Sequence, residues 1–214
     1  MDEQFEKEKQ RRLSPQEKRR LARFEEVCAE LASRGYARTD LTVGIVRANV
    51  VTLALSVPLF VICIVAFVLV HRETSIVISL STPPIMLAVL VALTVVHELI
   101  HGLTWSFFAE NRFKDIEFGF MKEYLTPYCT CSTPLPLAGY IVGGLMPGIV
   151  LGVIPTIVAL ISGSLLLLLI GLFMIMGAGG DMLITFELLR YRSHAAEKLI
   201  YDHPTQAGCV VFER

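Results

Sequence analysis

The stretch Pro84–Phe108, PIMLAVLVALTVVHELIHGLTWSFF, reads as a helix long enough to cross a hydrocarbon core, yet it carries His97, Glu98 and His101. A span needs about 20 consecutive apolar residues. Three more runs reach that length: Ala48–Val70, Pro136–Ile161 and Ser164–Leu189. Mean hydropathy is +0.60 and 54% of residues are hydrophobic, above the apolar usage of ordinary soluble domains. The expected fold class is therefore an all-α membrane protein of four transmembrane helices.

Charge sets the orientation. Residues 1–47 hold eleven Lys or Arg and nine Asp or Glu. Arg72 lies between spans one and two, Arg112, Lys114 and Lys122 between two and three, and Arg190, Arg192, Lys198 and Arg214 after span four. Basic residues collect on the cytoplasmic side, so a multi-pass protein of the cell membrane is expected, with both termini and the 109–135 loop in the cytoplasm. The boundaries are an N-terminal amphipathic segment, 1–47, a four-helix domain, 48–189, and a C-terminal tail, 190–214. The bilayer is the expected surrounding. No nucleic acid is expected, because the basic residues are interleaved with acidic ones and form no one-sign stripe. The polar N-terminus lacks the early apolar run of a cleavable signal.

Ser14-Pro15-Gln16-Glu17 has the form of a capping box with Pro at the first helical position, and Leu21, Phe24, Cys28 and Leu31 share one face. This predicts an amphipathic helix over roughly 15–34, stopped at Gly35. A helix lying at the headgroups is favoured over a lid. In the 109–135 loop, Ile116, Phe118 and Phe120 alternate ahead of Pro127, which predicts a small strand or β-hairpin. Gly139, Gly143, Gly144, Gly148 and Gly152 in span three allow close helix approach, and Pro147 and Pro155 are expected to kink it. The five cysteines form no C-x-x-C pair and read as free thiols, and Cys129 and Cys131 are too close for an ordinary structural zinc site.

His97-Glu98-Leu99-Ile100-His101 is an H-E-x-x-H sequence. Spacing of i to i+4 stacks both imidazoles on one helix face, where they can hold one Zn2+, with Glu98 beside them as a proton acceptor. Leaving aside Glu187, read as a surface residue, the four spans hold no acid or imidazole besides His97, Glu98, His101 and Asp181. An Asp at mid-span costs roughly 2.5–3.5 kcal/mol, so it is rarely idle. Depth agrees. At 1.5 Å per residue, His97, His101 and Asp181 lie about 16, 10 and 12 Å from the cytoplasmic ends of their spans. The alternatives are a metal-free proton relay for the histidines and, for Asp181, a cap at the preceding glycines.

This arrangement resembles the site-2 protease class of intramembrane metalloproteases. More closely, HELIHG (97–102), a hairpin-like loop, GAGGD (177–181) and the tail Asp202-His203-Pro204-Thr205 are similar to a small bacterial membrane family of putative zincin peptidases. The resemblance covers roughly residues 84–210. It implies His97, His101 and Asp181 as zinc ligands and Glu98 as general base. Site-2 proteases place Asn and Pro ahead of an Asp-Gly pair, whereas glycines precede Asp181 and Met182 follows it. The oxyanion-stabilising group is thus unassigned, with Tyr140 a conceivable candidate against an interfacial anchor.

The expected function is zinc-dependent hydrolysis of a peptide bond in a membrane-associated protein or peptide near the cytoplasmic leaflet. A non-catalytic metal-binding module that binds or regulates a partner is the alternative. A divalent-metal transporter is disfavoured, because no internal repeat is visible. His194 and His203 are expected in solvent, with closure of one of them over the metal as the alternative.

Overall fold

A computed structural model describes residues 14–72, 79–121 and 126–214. Residues 1–13 and Lys122, which entered the charge reading, lie outside the described residues. The first helix, α1 (Pro15–Ser33), begins with the capping box: the Ser14 hydroxyl accepts from the Glu17 N–H, and the Ser14 N–H donates to Glu17 Oε2 at 2.8 Å. It stops where Gly35 adopts φ +84°, a left-handed conformation open to glycine.

After β1 (Ala37–Thr42) come α2 (Ile45–Val70) and α3 (Thr82–Ser106). A hairpin of β2 (Ile116–Met121) and β3 (Thr126–Cys131) follows, then the short β4 (Leu135–Pro136). The third apolar run is α4 (Leu137–Pro147), a π-helical turn (Gly148–Val153) and α5 (Ile154–Ser162). Pro147 and Pro155 flank that turn, where their missing N–H groups and ring bulk disturb the ordinary ladder. The fourth run is two helices, α6 (Leu165–Gly177) and α7 (Gly179–Arg190), bent by 46° at Ala178. The chain ends in β5 (Lys198–Asp202) and β6 (Gly208–Glu213).

Among the described residues three helical runs are long and apolar enough to cross a membrane, or four with the bent pair as one. Their apolar side chains are not spent on a core: only 17% of the most apolar window of α2 and 6% of that of α3 are buried. Exposed apolar surface on this scale exceeds what soluble monomers present to water.

The chain is mostly helical, but it is not all-α. A four-stranded antiparallel sheet in the order β1-β6-β5-β4 joins residues from both ends of the chain, with Ala37 opposite Glu213 and Thr42 opposite Gly208. Residues 190–214, read as a polar tail, thus supply its central strands. Strand β6 shows why. Cys209, Val210, Val211 and Phe212 are all within 1% of full burial, and by the two-residue period of a strand they serve two cores. Cys209 and Val211 join Trp105, Tyr140 and Leu188 on one face, while Val210 and Phe212 join Phe24, Val27 and Leu31 of α1 on the other. The apolar stripe of α1 is therefore covered by the sheet and not by headgroups, which corrects the favoured reading of this helix. Phe24→Ala, at a position 3% exposed, is expected to cost about 3–5 kcal/mol of packing. Limited proteolysis should then cleave α1 ahead of the rest of the chain.

The hairpin lies directly on α3, because a Cβ at Gly102 would meet Phe118 and Ile116 at 2.6 and 2.8 Å. This close approach, made one residue after His101, brings β3 beside the histidines. One turn further along α3, Gly143 of α4 leaves room for the Trp105 ring. All five cysteines are free.

Candidate metal centre

One helical turn separates His97 from His101, and their ring centroids are 4.7 Å apart at 74°. Both are buried, at 7% and 3% exposure. The two Nε2 atoms approach to 3.0 Å, and Asp181 Oδ2 stands 3.2 Å from that of His97 and 3.5 Å from that of His101. Asp181 reaches them from the first turn of α7, just past the bend, where the helix dipole favours a carboxylate.

The donor set suits a metal ion. His101 Nδ1 lies 2.8 Å from the Gly143 carbonyl, which can only accept, so this nitrogen holds the proton and Nε2 presents a lone pair. That lone pair and the Asp181 carboxylate converge on one point, and only a proton or a cation relieves their repulsion. Ligand atoms about 2.0–2.1 Å from a tetrahedral zinc ion stand about 3.3 Å apart, close to the three separations found here. His97, His101 and Asp181 are the one group of this kind among the described residues, with ligand atoms all within 4.8 Å of one another.

Glu98 is outside that group. It is half-buried, faces the Cys129 backbone of β3 and lines a cavity of about 540 Å³ that opens onto the histidines. The same cavity is walled by Arg20 of α1, Asn49 of α2, residues 126–129 of β3 and the β5–β6 connection from Asp202 to Gly208. Arg20 sits over the Tyr128 ring at 4.6 Å.

Several residues occupy places that sequence reasoning did not assign. Tyr140 is buried, and its hydroxyl donates to Asp202 Oδ1 at 2.8 Å, which commits it away from an oxyanion role and from a membrane interface. Thr130 donates to Asp202 Oδ2, also at 2.8 Å. Burial pushes the Asp202 carboxyl above the ordinary range, and these two hydroxyls work against that rise. His203 is not in open solvent: it lines the cavity, and its Nδ1 accepts the backbone N–H groups of Thr205 and Gln206 at 3.3 and 3.0 Å. Burial holds its imidazole below the ordinary value. His194 is exposed as expected. Glu187 is not a free surface carboxylate, since it pairs with Arg47 of α2 at 2.8 Å. In the sequence, only the clustered tail Asp202-His203-Pro204-Thr205 hinted that the C-terminus reaches the site.

A family model described as putative zincin peptidase matches residues 89–196, 108 of the 214 residues. The match takes in His97, Glu98, His101, Tyr140 and Asp181 and stops short of Asp202. No curated protein and no solved structure matches the chain.

Proposed function

We propose that this chain, which belongs to the putative zincin peptidase family, is a zinc-dependent intramembrane metallopeptidase that cleaves a peptide bond of a membrane-associated substrate near the cytoplasmic leaflet. The observation that carries the reading is the convergence of two imidazoles and a carboxylate from separate apolar helices to within 3.0–3.5 Å, with Glu98 beside them in the cavity. His97, His101 and Asp181 would hold the ion. Zinc supplies Lewis acidity when bound, polarising a carbonyl and making a water acidic enough to be deprotonated near neutral pH.

The protein's own groups do the rest. Glu98, one residue from the first ligand and open to the cavity, takes the proton of the attacking water and returns it to the leaving amine, the two duties of a general acid–base group. The Gly143 carbonyl holds His101 in the tautomer that presents Nε2. Strand β3 pairs with β2 along one edge, while residues 126–129 line the cavity, so an extended substrate can add to β3 by main-chain hydrogen bonds beside Glu98. The exposed apolar faces of α2 and α3 support a bilayer setting, and the bias of basic residues supports cytoplasmic termini. Placement of the ligands partway along apolar helices supports the likeness to site-2 proteases.

The direct test uses purified full-length protein in detergent, presented with a library of peptides drawn from membrane-protein segments. Cleavage is expected, with loss on treatment with a zinc chelator and recovery when zinc is added back. Cleavage that persists in protein shown by elemental analysis to be metal-free would sink the reading.

A further inference from the structure

The C-terminal sheet is tied to the candidate metal centre by a continuous column of side chains. His101 stacks on Trp105 with centroids 4.9 Å apart and planes 19° from parallel, and Trp105 stacks on Tyr140 at 5.7 Å and 20°. Trp105 Nε1 donates to the Tyr140 carbonyl at 3.2 Å, so the indole cannot slide freely between its neighbours. The column ends at Asp202, whose two carboxylate oxygens are each taken by a hydroxyl, one from Tyr140 of α4 and one from Thr130 of β3.

This arrangement does something the single hydrogen bond at His101 cannot. An imidazole held only through Nδ1 can still pivot about that bond, which swings Nε2 off the point it must share with His97 and Asp181. A flat ring packed against one face removes the pivot, provided that ring is itself anchored. Trp105 is held on its edge by Gly143, where no side chain would fit, and on its far face by Tyr140. The phenol hydroxyl of Tyr140 bonds to Asp202 alone among the described residues. A partly buried carboxylate is costly where packing alone is wanted, and apolar replacements of such groups are often neutral or stabilising. Its presence at the end of this column therefore calls for a role beyond cohesion.

We propose that Asp202 is a positioning residue for the metal centre, acting through Tyr140 and Trp105 to set the plane of the His101 imidazole. The inference rests on the metallopeptidase reading of the site, and it makes the C-terminal strand pair part of the zinc-binding apparatus although it lies beyond the matched residues 89–196. Loss of an outer partner of a zinc ligand weakens binding by roughly 10–100-fold.

The test is metal binding by the full-length protein in detergent, read as a zinc dissociation constant by competition with a chromophoric chelator and as the visible spectrum of the cobalt(II) form. Asp202→Ala, which acts on His101 only through two intervening residues, is expected to weaken zinc binding by up to roughly 10-fold, the low end of the cost of losing a direct outer partner, and to change the cobalt bands. Asp202→Asn, which keeps a carbonyl acceptor for Tyr140, should recover most of that loss. Tyr140→Phe should move both readouts in the same direction, and the double variant should lose little more than Asp202→Ala, because the two groups act as one unit. Leu168→Ala, in the separate cluster around Phe67 and Leu172, should leave both readouts where they are despite lost stability. If Asp202→Ala does not fold, Tyr140→Phe carries the same measurement. An unchanged constant and spectrum in Asp202→Ala, or an equal change in Leu168→Ala, overturns the inference. Wild-type protein that binds neither metal removes the metal-centre reading and this inference together, whereas wild-type binding with an unaffected Asp202→Ala removes the inference alone.

Discussion

Glu98→Gln is expected to lower peptide-bond cleavage by about 10²–10⁴-fold, the range over which a positioned general acid–base group contributes, while zinc content stays at the wild-type level. The reason lies in the division of labour around the cavity. The groups that converge on one point are His97, His101 and Asp181, and Glu98 is not among them. Its carboxylate lies against the Cys129 backbone of β3 and lines the cavity beside which a substrate strand added to β3 would lie. Glutamine keeps the size and the hydrogen-bonding oxygen of glutamate but cannot take a proton from water at neutral pH. Turnover of the same peptide by both proteins, with zinc measured in the same samples, checks the expectation. A Gln variant as fast as wild type would show that another group takes the proton, and one that loses its zinc would place Glu98 among the ligands.

His97→Ala and Asp181→Ala are each expected to abolish tight metal binding and all cleavage. Removing a group that only supports a ligand already weakens zinc binding by roughly 10–100-fold, so deleting one of three ligands should cost about 100-fold or more. Wild-type protein is expected to carry one zinc per chain through chelator-containing buffer, and the variants none. Acidification should empty the wild-type site as well, because the imidazole nitrogens must be unprotonated to bind. The sign is fixed by that competition: occupancy is highest on the alkaline side of the imidazole titration and falls as pH drops through it. Elemental analysis across pH measures this. Retention of stoichiometric zinc in Asp181→Ala would remove the carboxylate from the ligand set and leave its approach to the histidines as a polar contact between helices.

Much of this site is legible in the chain because the relevant signals are local or simply additive. The i to i+4 spacing of His97 and His101 places both rings on one face of any helix, and counting residues from the span ends puts Asp181 at the same level. Ser14, Pro15 and Glu17 announce the start of α1 for the same reason, since a cap involves only neighbours in sequence. The Ile116–Phe120 alternation likewise marks a strand that pairs with its own hairpin partner.

The errors fall where a partner is distant. Cys209 to Phe212 is too short an apolar run to declare itself, and its partner β1 lies some 170 residues earlier, so nothing local identifies it as the centre of a sheet. Without that sheet the apolar face of α1 has no visible cover, and headgroups become the default. Glu187 looks exposed until Arg47 meets it from α2. Tyr140 resembles an interfacial aromatic until Asp202 arrives from the far end of the chain.

By itself, then, the sequence determined the apolar helices, the H-E-x-x-H pair and the place of the acid along its helical run, because helical period, hydropathy and rise per residue are properties of a segment alone. Only the tertiary structure decided that Asp181 turns towards the imidazoles, that the β5–β6 connection lines the cavity beside them, and that His101 stacks on Trp105 and Trp105 on Tyr140. Those outcomes depend on which surfaces bury one another and which donors find acceptors, and such pairings do not exist until the chain has folded.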